Sequence, residues 1–204
     1  MSLEYLSGAI EQALQSMSWI EVVAVVAGVS YLLLATKEII WCWLFGLINV
    51  IAYLFICFQS KLYAEFGLQV FYFFITIYGW YQWKFGGKNK SKEEISFWPL
   101  KTHVLVIGSG ALATLILASI LEYYTDADIP LLDSLTTVFS IICTYMVAKK
   151  KIENWLYWIV VDSAAAYMYF YKELYLTSLL FVLYVILVIF GFYEWKRLYK
   201  IQQA

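Results

Sequence analysis

Seven stretches of this chain are each about as long and as apolar as a bilayer-crossing helix needs. No other sequence feature restricts the fold as much. They run at about Trp19–Ala35, Ile39–Phe58, Leu62–Trp83, Thr102–Leu121, Leu131–Ala148, Ile152–Phe170 and Leu174–Trp195. A hydrocarbon core ~30 Å thick takes ~20 helical residues to cross. Inside lipid every backbone N–H and C=O must be bonded within the structure, which leaves helices or a closed barrel. Barrel strands alternate every second residue, and these runs do not. The chain therefore reads as an all-α membrane protein with seven transmembrane helices. Composition agrees: 63% of the 204 residues are hydrophobic and 14% charged, where a soluble domain carries about a quarter charged. The first residues, with Glu4, Glu11 and no base, do not resemble a cleavable signal peptide.

The basic residues set the expected orientation. Lys37 lies between the first and second runs, Lys84, Lys88, Lys90, Lys92 and Lys101 between the third and fourth, and Lys149–Lys151 between the fifth and sixth. Lys196, Arg197 and Lys200 follow the seventh. All of these fall on one side, and the other keeps only Lys61 and Lys172 beside Glu122, Asp126 and Asp128. Basic loops stay in the cytoplasm, so the amino terminus is expected outside a plasma membrane and the carboxyl terminus inside.

Several functions lack their chemistry here. Cys42, Cys57 and Cys143 all sit in apolar runs without metal-like spacing, and His103 is the single histidine. No phosphate-binding glycine loop or nucleophile elbow is present. The expectation is no enzyme, no catalytic residue, no metal, no cofactor and no nucleic-acid partner.

A shift of 112 residues lays the two ends of the chain over one another without a gap. Lys37 falls on Lys149, Trp43-Leu44 on Trp155-Leu156, Gly79 on Gly191, Tyr81 on Tyr193 and Trp83-Lys84 on Trp195-Lys196. Over positions 37–84 there are 16 identities in 48. The chain divides into an N-terminal segment (1–18), a three-helix repeat (19–84), a loop with a linker helix (85–130), a second three-helix repeat (131–197) and a tail (198–204). One extra crossing between two three-helix units makes the repeats parallel, an arrangement of transporters that bind substrate near mid-membrane.

The candidate binding residues follow from depth. Asp162 stands about ten residues into its run, roughly 15 Å along a helix, where an ionisable group is costly unless it has a function or a partner. Asn154, Trp155 and Trp158 lie on the same segment toward the lysine end. Asn49 is at nearly the depth of Asp162 in the other repeat, opposite Val161, and Tyr53 shares its helix face. Gln69 is seven residues into the third run, and Trp80 is near that run's basic end. A carboxylate among aromatic planes suits a flat, polar, cationic ligand. Trp19, Trp41, Trp43 and Trp195 are expected in the interfacial aromatic belts, and the other tyrosines in packing. No base lies deep in any run, so a phosphorylated ligand would find no partner there.

The runs LLDSLTTVFS, AKKKIENWLYWIVVD and YKELYLTSLLFVLYVILVIFGFYEWKRL, with Asn154 before the Trp155-x-x-Trp158 pair, resemble the PnuC family of bacterial nicotinamide riboside transporters. The likeness spans most of residues 20–197 and is strongest in the second repeat. It implies a three-plus-one-plus-three helix arrangement similar to full-length SWEET sugar transporters. It also implies a place in the bacterial inner membrane, and uptake of nicotinamide riboside by facilitated diffusion with trapping by a cytoplasmic nicotinamide riboside kinase. Relatives of that family carry thiamine or other vitamins and nucleosides on the same scaffold. Proton coupling is the alternative that Asp162 raises, and aromatic-rich lipid faces are compatible with a homo-oligomer such as a trimer.

Overall fold

The computed structural model describes residues 3–59, 63–86 and 93–204. Lys61, Leu62, Lys88, Lys90 and Lys92, used above for orientation and alignment, lie outside the described residues. Eight helices follow in order: α1 (Leu3–Ser16), α2 (Trp19–Thr36), α3 (Cys42–Gln59), α4 (Tyr63–Phe85), α5 (Leu100–Tyr124), α6 (Pro130–Ala148), α7 (Asn154–Tyr171) and α8 (Tyr175–Gln202). Among the described residues no strand forms, and the one bridge joins Ser96 to Lys151.

Two differences from the sequence reading have physical causes. Seven apolar spans were expected; among the described residues five helices (α2, α3, α5, α6 and α8) are long and apolar enough to cross a membrane by length and composition. The other two, α4 and α7, fall short because they carry polar groups: Gln69, Gln82 and Lys84 on α4, Asn154 and Asp162 on α7. The second difference is α1, a helix where an undivided segment was expected. Leu6, Ile10, Ala13 and Leu14 recur at helical spacing on it, and Tyr5 meets Tyr175 of α8 edge-on at 6.4 Å. Ser18 and Glu21 then start α2 with a capping box, the Ser18 N–H donating to Glu21 Oε2 at 2.7 Å.

Helix α2 packs on α3 and α3 on α4; α6 packs on α7, α7 on α8, and α5 covers α6. Two further contacts, α2 with α8 and α4 with α6, join the sets. Positions 112 apart take matching roles at that junction. The turn after α2 and the turn after α6 are the same motif. Glu38 N–H donates to Ala35 O and Ile39 N–H to Leu34 O, as Lys150 N–H donates to Val147 O and Lys151 N–H to Met146 O. This is a helix end closed by a left-handed residue, at Glu38 (φ 58°) and Lys150 (φ 45°). Glycine usually takes that place. Here two charged residues do, and Lys150 Nζ meets Glu38 Oε1 at 2.6 Å in a buried ion pair.

The same end of the bundle holds a chain of four tryptophans. Trp43 meets Trp83 at 5.5 Å and 88°, Trp155 meets Trp195 at 5.2 Å and 89°, and Trp83 meets Trp195 at 5.9 Å. Edge-to-face rings at these separations are a favoured aromatic geometry. Trp83 Nε1 donates to Val147 O and Trp195 Nε1 to Ala35 O, both at 2.9 Å. Gly79 leaves room for the Trp43 ring and Gly191 for the Trp155 ring. Trp43 and Trp195 are 2% and 0% exposed, so they are core residues and not belt residues. Position near a helix end could not distinguish the two. Trp19 and Trp41 are exposed on the surface.

Residues 93–99 strap this end. Ser96 N–H donates to Lys150 O and Ile152 N–H to Ser96 O, both at 3.0 Å. Ile95 is buried beneath, in the cluster that holds the tryptophans. Glu153 Oε1 accepts from Trp98 N–H at 2.9 Å and lies 3.0 Å from His103 Nε2. The strap is thereby tied to the start of α5.

Candidate binding site between the helix sets

Asp162 is 3% exposed, midway along α7. Its carboxylate is a charge neighbour of Tyr72 on α4, Cys143 on α6 and Tyr184 on α8. Among the described residues it has neither a cation nor a hydrogen-bond donor against it. The described lysines and the arginine stand at helix ends or in connections, so the middle of the bundle has no base to neutralise this group. A buried carboxylate without a partner is costly, and such groups accumulate where a ligand supplies the partner.

The opposite wall comes from α2 and α3. Asn49 Nδ2 donates to Ala24 O at 2.7 Å, which fixes the amide against α2. Tyr53, one turn along α3, neighbours Tyr184. Tyr184 itself lies against Gly28 of α2, as Asn49 does. Tyr72 lies near Ser140 of α6 and Tyr31 of α2. Tyr72 and Tyr184 thus neighbour Asp162, with Tyr31, Tyr53 and the Asn49 amide next to those two, in a loose tyrosine ring. Aromatic faces favour a flat cation. Hydroxyls, an amide and a carboxylate can bond sugar hydroxyls or a carboxamide.

The structure thus brings three of the sequence candidates, Asn49, Tyr53 and Asp162, to one place around Tyr184. Gln69 is half-buried on α4 one turn before Tyr72. Trp158 is half-buried and packs against the tryptophan cluster. Trp155 is inside that cluster, 1% exposed, with its Nε1 unbonded. Asn154 is fully buried at the start of α7, where its amide donates to Lys151 O at 2.6 Å and its Oδ1 is left without a donor. Trp80 faces outward, 41% exposed, with Lys84 Nζ 4.9 Å above its ring. Sequence reasoning left Tyr72 and Tyr184 among the packing residues. They coincide under the 112-residue shift, but so do Tyr63 with Tyr175 and Tyr81 with Tyr193, so the repeat alone does not single them out. Among the described residues no group of His, Cys, Asp and Glu could hold a metal ion, and the three cysteines are buried.

The profile of the family described as nicotinamide mononucleotide transporters matches residues 18–197. The chain belongs to that family. It is a multi-pass membrane protein, and the resemblance read from Trp155, Trp158 and the second half of the sequence is confirmed. Relatives within the family's reach carry these names. The nicotinamide riboside transporter PnuC of Escherichia coli is 30% identical over 88% of this chain and 85% of its own length. The PnuC of Neisseria mucosa is also 30% identical, over 90% of this chain and 74% of its own. The riboflavin/roseoflavin transporter RibM of Streptomyces davaonensis is 25% identical over 89% and 86%. The crystal structure of the vitamin B3 transporter PnuC superposes with a TM-score of 0.71, covering 97% of this chain and 89% of that one at 24% identity. That likeness establishes the fold.

Proposed function

We propose that this chain carries nicotinamide riboside across the membrane by facilitated diffusion, binding it in the tyrosine ring around Asp162. The observation that carries the reading is the buried Asp162 carboxylate with no cation against it, in a chain whose family relatives are named for this nucleoside. Nicotinamide riboside brings the missing charge as a flat pyridinium. Its ribose and carboxamide suit Asn49, Tyr53 and the ring hydroxyls. Gln69 and Trp158 extend the contact surface toward the basic end, and Asn154 and Trp155 support it from there, whereas Trp80 faces outward. The mononucleotide adds a phosphate, and among the described residues no base faces the ring, so it is rejected. Nothing in this chemistry requires an enzyme.

The architecture of the proposal is seven crossings, α2 to α8, as two parallel three-helix repeats (19–84 and 131–197) joined through the linker at 85–130, with 1–18 outside and 198–204 in the cytoplasm. The bilayer is an inner membrane, and the basic end faces the cytoplasm. A cytoplasmic nicotinamide riboside kinase traps the product, and the carrier assembles as a homo-oligomer. The similarity to RibM supports a second reading, a different flat vitamin on the same ring.

The test is uptake by purified protein in liposomes. Labelled nicotinamide riboside should equilibrate without a proton gradient, and Asp162→Asn should abolish that flux while the variant stays folded. Entry of the mononucleotide, or accumulation above equilibrium, would refute the respective claims. Preference for riboflavin or thiamine would move the substrate and leave the mechanism.

A further inference from the structure

Helix α8 has two unlike faces where it leaves the bundle. Its inner face is engaged throughout. Gly191 lies against Trp155, Trp195 is fully buried with its Nε1 on Ala35 O, and Tyr199 meets Phe97 at 5.1 Å. Gln202 Oε1 accepts from Ile95 N–H at 3.2 Å. The outer face is open. Ile186, Ile189, Phe190 and Tyr193 are 40% to 67% exposed along it. Lys196, Arg197 and Lys200, all exposed, continue the same row at three- and four-residue intervals.

Three bases on this face meet one acid, Glu194, which pairs with Arg197. Lys196 Nζ stands 5.2 Å over the Phe192 ring, and among the described residues neither Lys196 nor Lys200 has an ion pair. The dipole of a helix attracts bases only over its last turn. Lys196 and Arg197 stand before that turn, since α8 runs to Gln202. The related end of α4 is poorer in charge. Lys84 lies 4.9 Å over Trp80 as Lys196 lies over Phe192, with exposed Tyr81 in the place of Tyr193. There, however, Phe85 stands where α8 has Arg197, and α4 ends at Phe85. The excess of positive charge thus belongs to the α8 face and not to the repeat.

We propose that the outer face of α8 binds an anionic phospholipid, its acyl chain along Ile186, Ile189 and Phe190 and its phosphate among Lys196, Arg197 and Lys200. The charge is complementary to the phosphate, and the order of the row selects a lipid over a soluble anion: apolar residues, then a tyrosine, then bases, on a helix long and apolar enough to cross a bilayer. Tyr193 lies between the two parts, where its hydroxyl can donate to the ester oxygens. The lipid belongs to the leaflet at the basic end of the bundle. The inference is independent of which substrate is carried.

Native mass spectrometry of the full-length protein tests it, with phosphatidylglycerol and phosphatidylcholine of the same chains supplied equally in detergent. Each base beside an anionic lipid contributes about fivefold, and Glu194 offsets one of the three, so phosphatidylglycerol should be retained about 25-fold over phosphatidylcholine. Lys196→Gln and Lys200→Gln should each reduce that preference about fivefold, and the two together should abolish it. Lys84→Gln leaves the α8 face intact and should leave the preference in place. Unchanged melting without added lipid shows that the variants fold, and Lys200→Gln alone decides the matter should the double variant melt lower. Equal retention of the two lipids by the unmodified protein would overturn the proposal. So would a preference that survives Lys196→Gln and Lys200→Gln, or release of the lipid by inorganic phosphate.

Discussion

Replacing Gly79 by alanine should destabilise this protein, although the same change elsewhere on its helices should stabilise it. Alanine in place of a helical glycine gains about 0.5–1 kcal/mol through the backbone alone. At Gly79 the added methyl would enter the outer ring of Trp43, overlapping Cη2, Cζ2 and Cζ3 together. Trp43 is 2% exposed and held edge-on by Trp83 at 5.5 Å, so it has nowhere to swing. Overpacking of this kind costs up to about 3 kcal/mol, leaving a net loss of about 2 kcal/mol, or roughly 4–8 °C in Tm for a chain this size. Gly191→Ala meets Trp155 less deeply, at 2.8–2.9 Å, and should fall between that loss and the gain. Gly108→Ala has open space and should raise Tm by roughly 1–4 °C. The assay is thermal unfolding in detergent followed by intrinsic fluorescence. A second variant separates crowding from other causes: Trp43→Phe lacks the ring atoms that collide, so Trp43→Phe with Gly79→Ala should recover much of the stability lost by Gly79→Ala. If Gly79→Ala melts no lower than Gly108→Ala, the packing argument fails.

Trp83→Phe and Trp195→Phe should each cost about 1–3 kcal/mol, because each leaves a buried carbonyl (Val147 or Ala35) without its donor; matched melting shifts are expected, and a large imbalance would count against the equivalence of the two bonds. Ile95→Asp should bury a carboxylate among tryptophans and release the strap, read as new protease cleavage within 93–99; an unchanged digest would contradict the anchoring role. Asp133→Asn removes the charge facing Lys172 Nζ at 3.1 Å, a pair open to solvent on both sides, and should cost about 1 kcal/mol or less in melting experiments; a larger loss would mean that the pair holds α6 to the end of α7.

Helix positions were legible because lipid demands long apolar runs, and that signal survives in single sequences. The capping box at Ser18 and Glu21 has an S-x-x-E pattern that the sequence reading did not use. The helix ends at Glu38 and Lys150 were not legible. Left-handed closing residues are read from glycine, and here charged residues take that conformation and meet each other across the bundle. Asp162 stood out because a carboxylate in an apolar run has few explanations. Tyr184 did not, because a tyrosine in a membrane helix has many, and only its neighbours Gly28 and Asn49 distinguish it. Trp43 and Trp155 could not be told from belt residues by depth. The glycines 36 residues further on, Gly79 and Gly191, were visible, but which rings they admit depends on how α4 and α8 turn.

The reciprocal indole bonds have a consequence for how such a chain arises. Each side supplies the same donor and the same acceptor, Trp83 to Val147 and Trp195 to Ala35. An interface of that kind is isologous and closes on itself. A half-length ancestor carrying one tryptophan and one such carbonyl is complete as a two-fold dimer and offers no edge to a third copy. In such a dimer every substitution appears twice, so the two copies keep the same residue at each position. Only after the halves are fused on a single chain can Gly28 and Ser140, or Asn49 and Val161, diverge. Covalent linkage is then what lets a symmetric scaffold hold a molecule whose two ends differ.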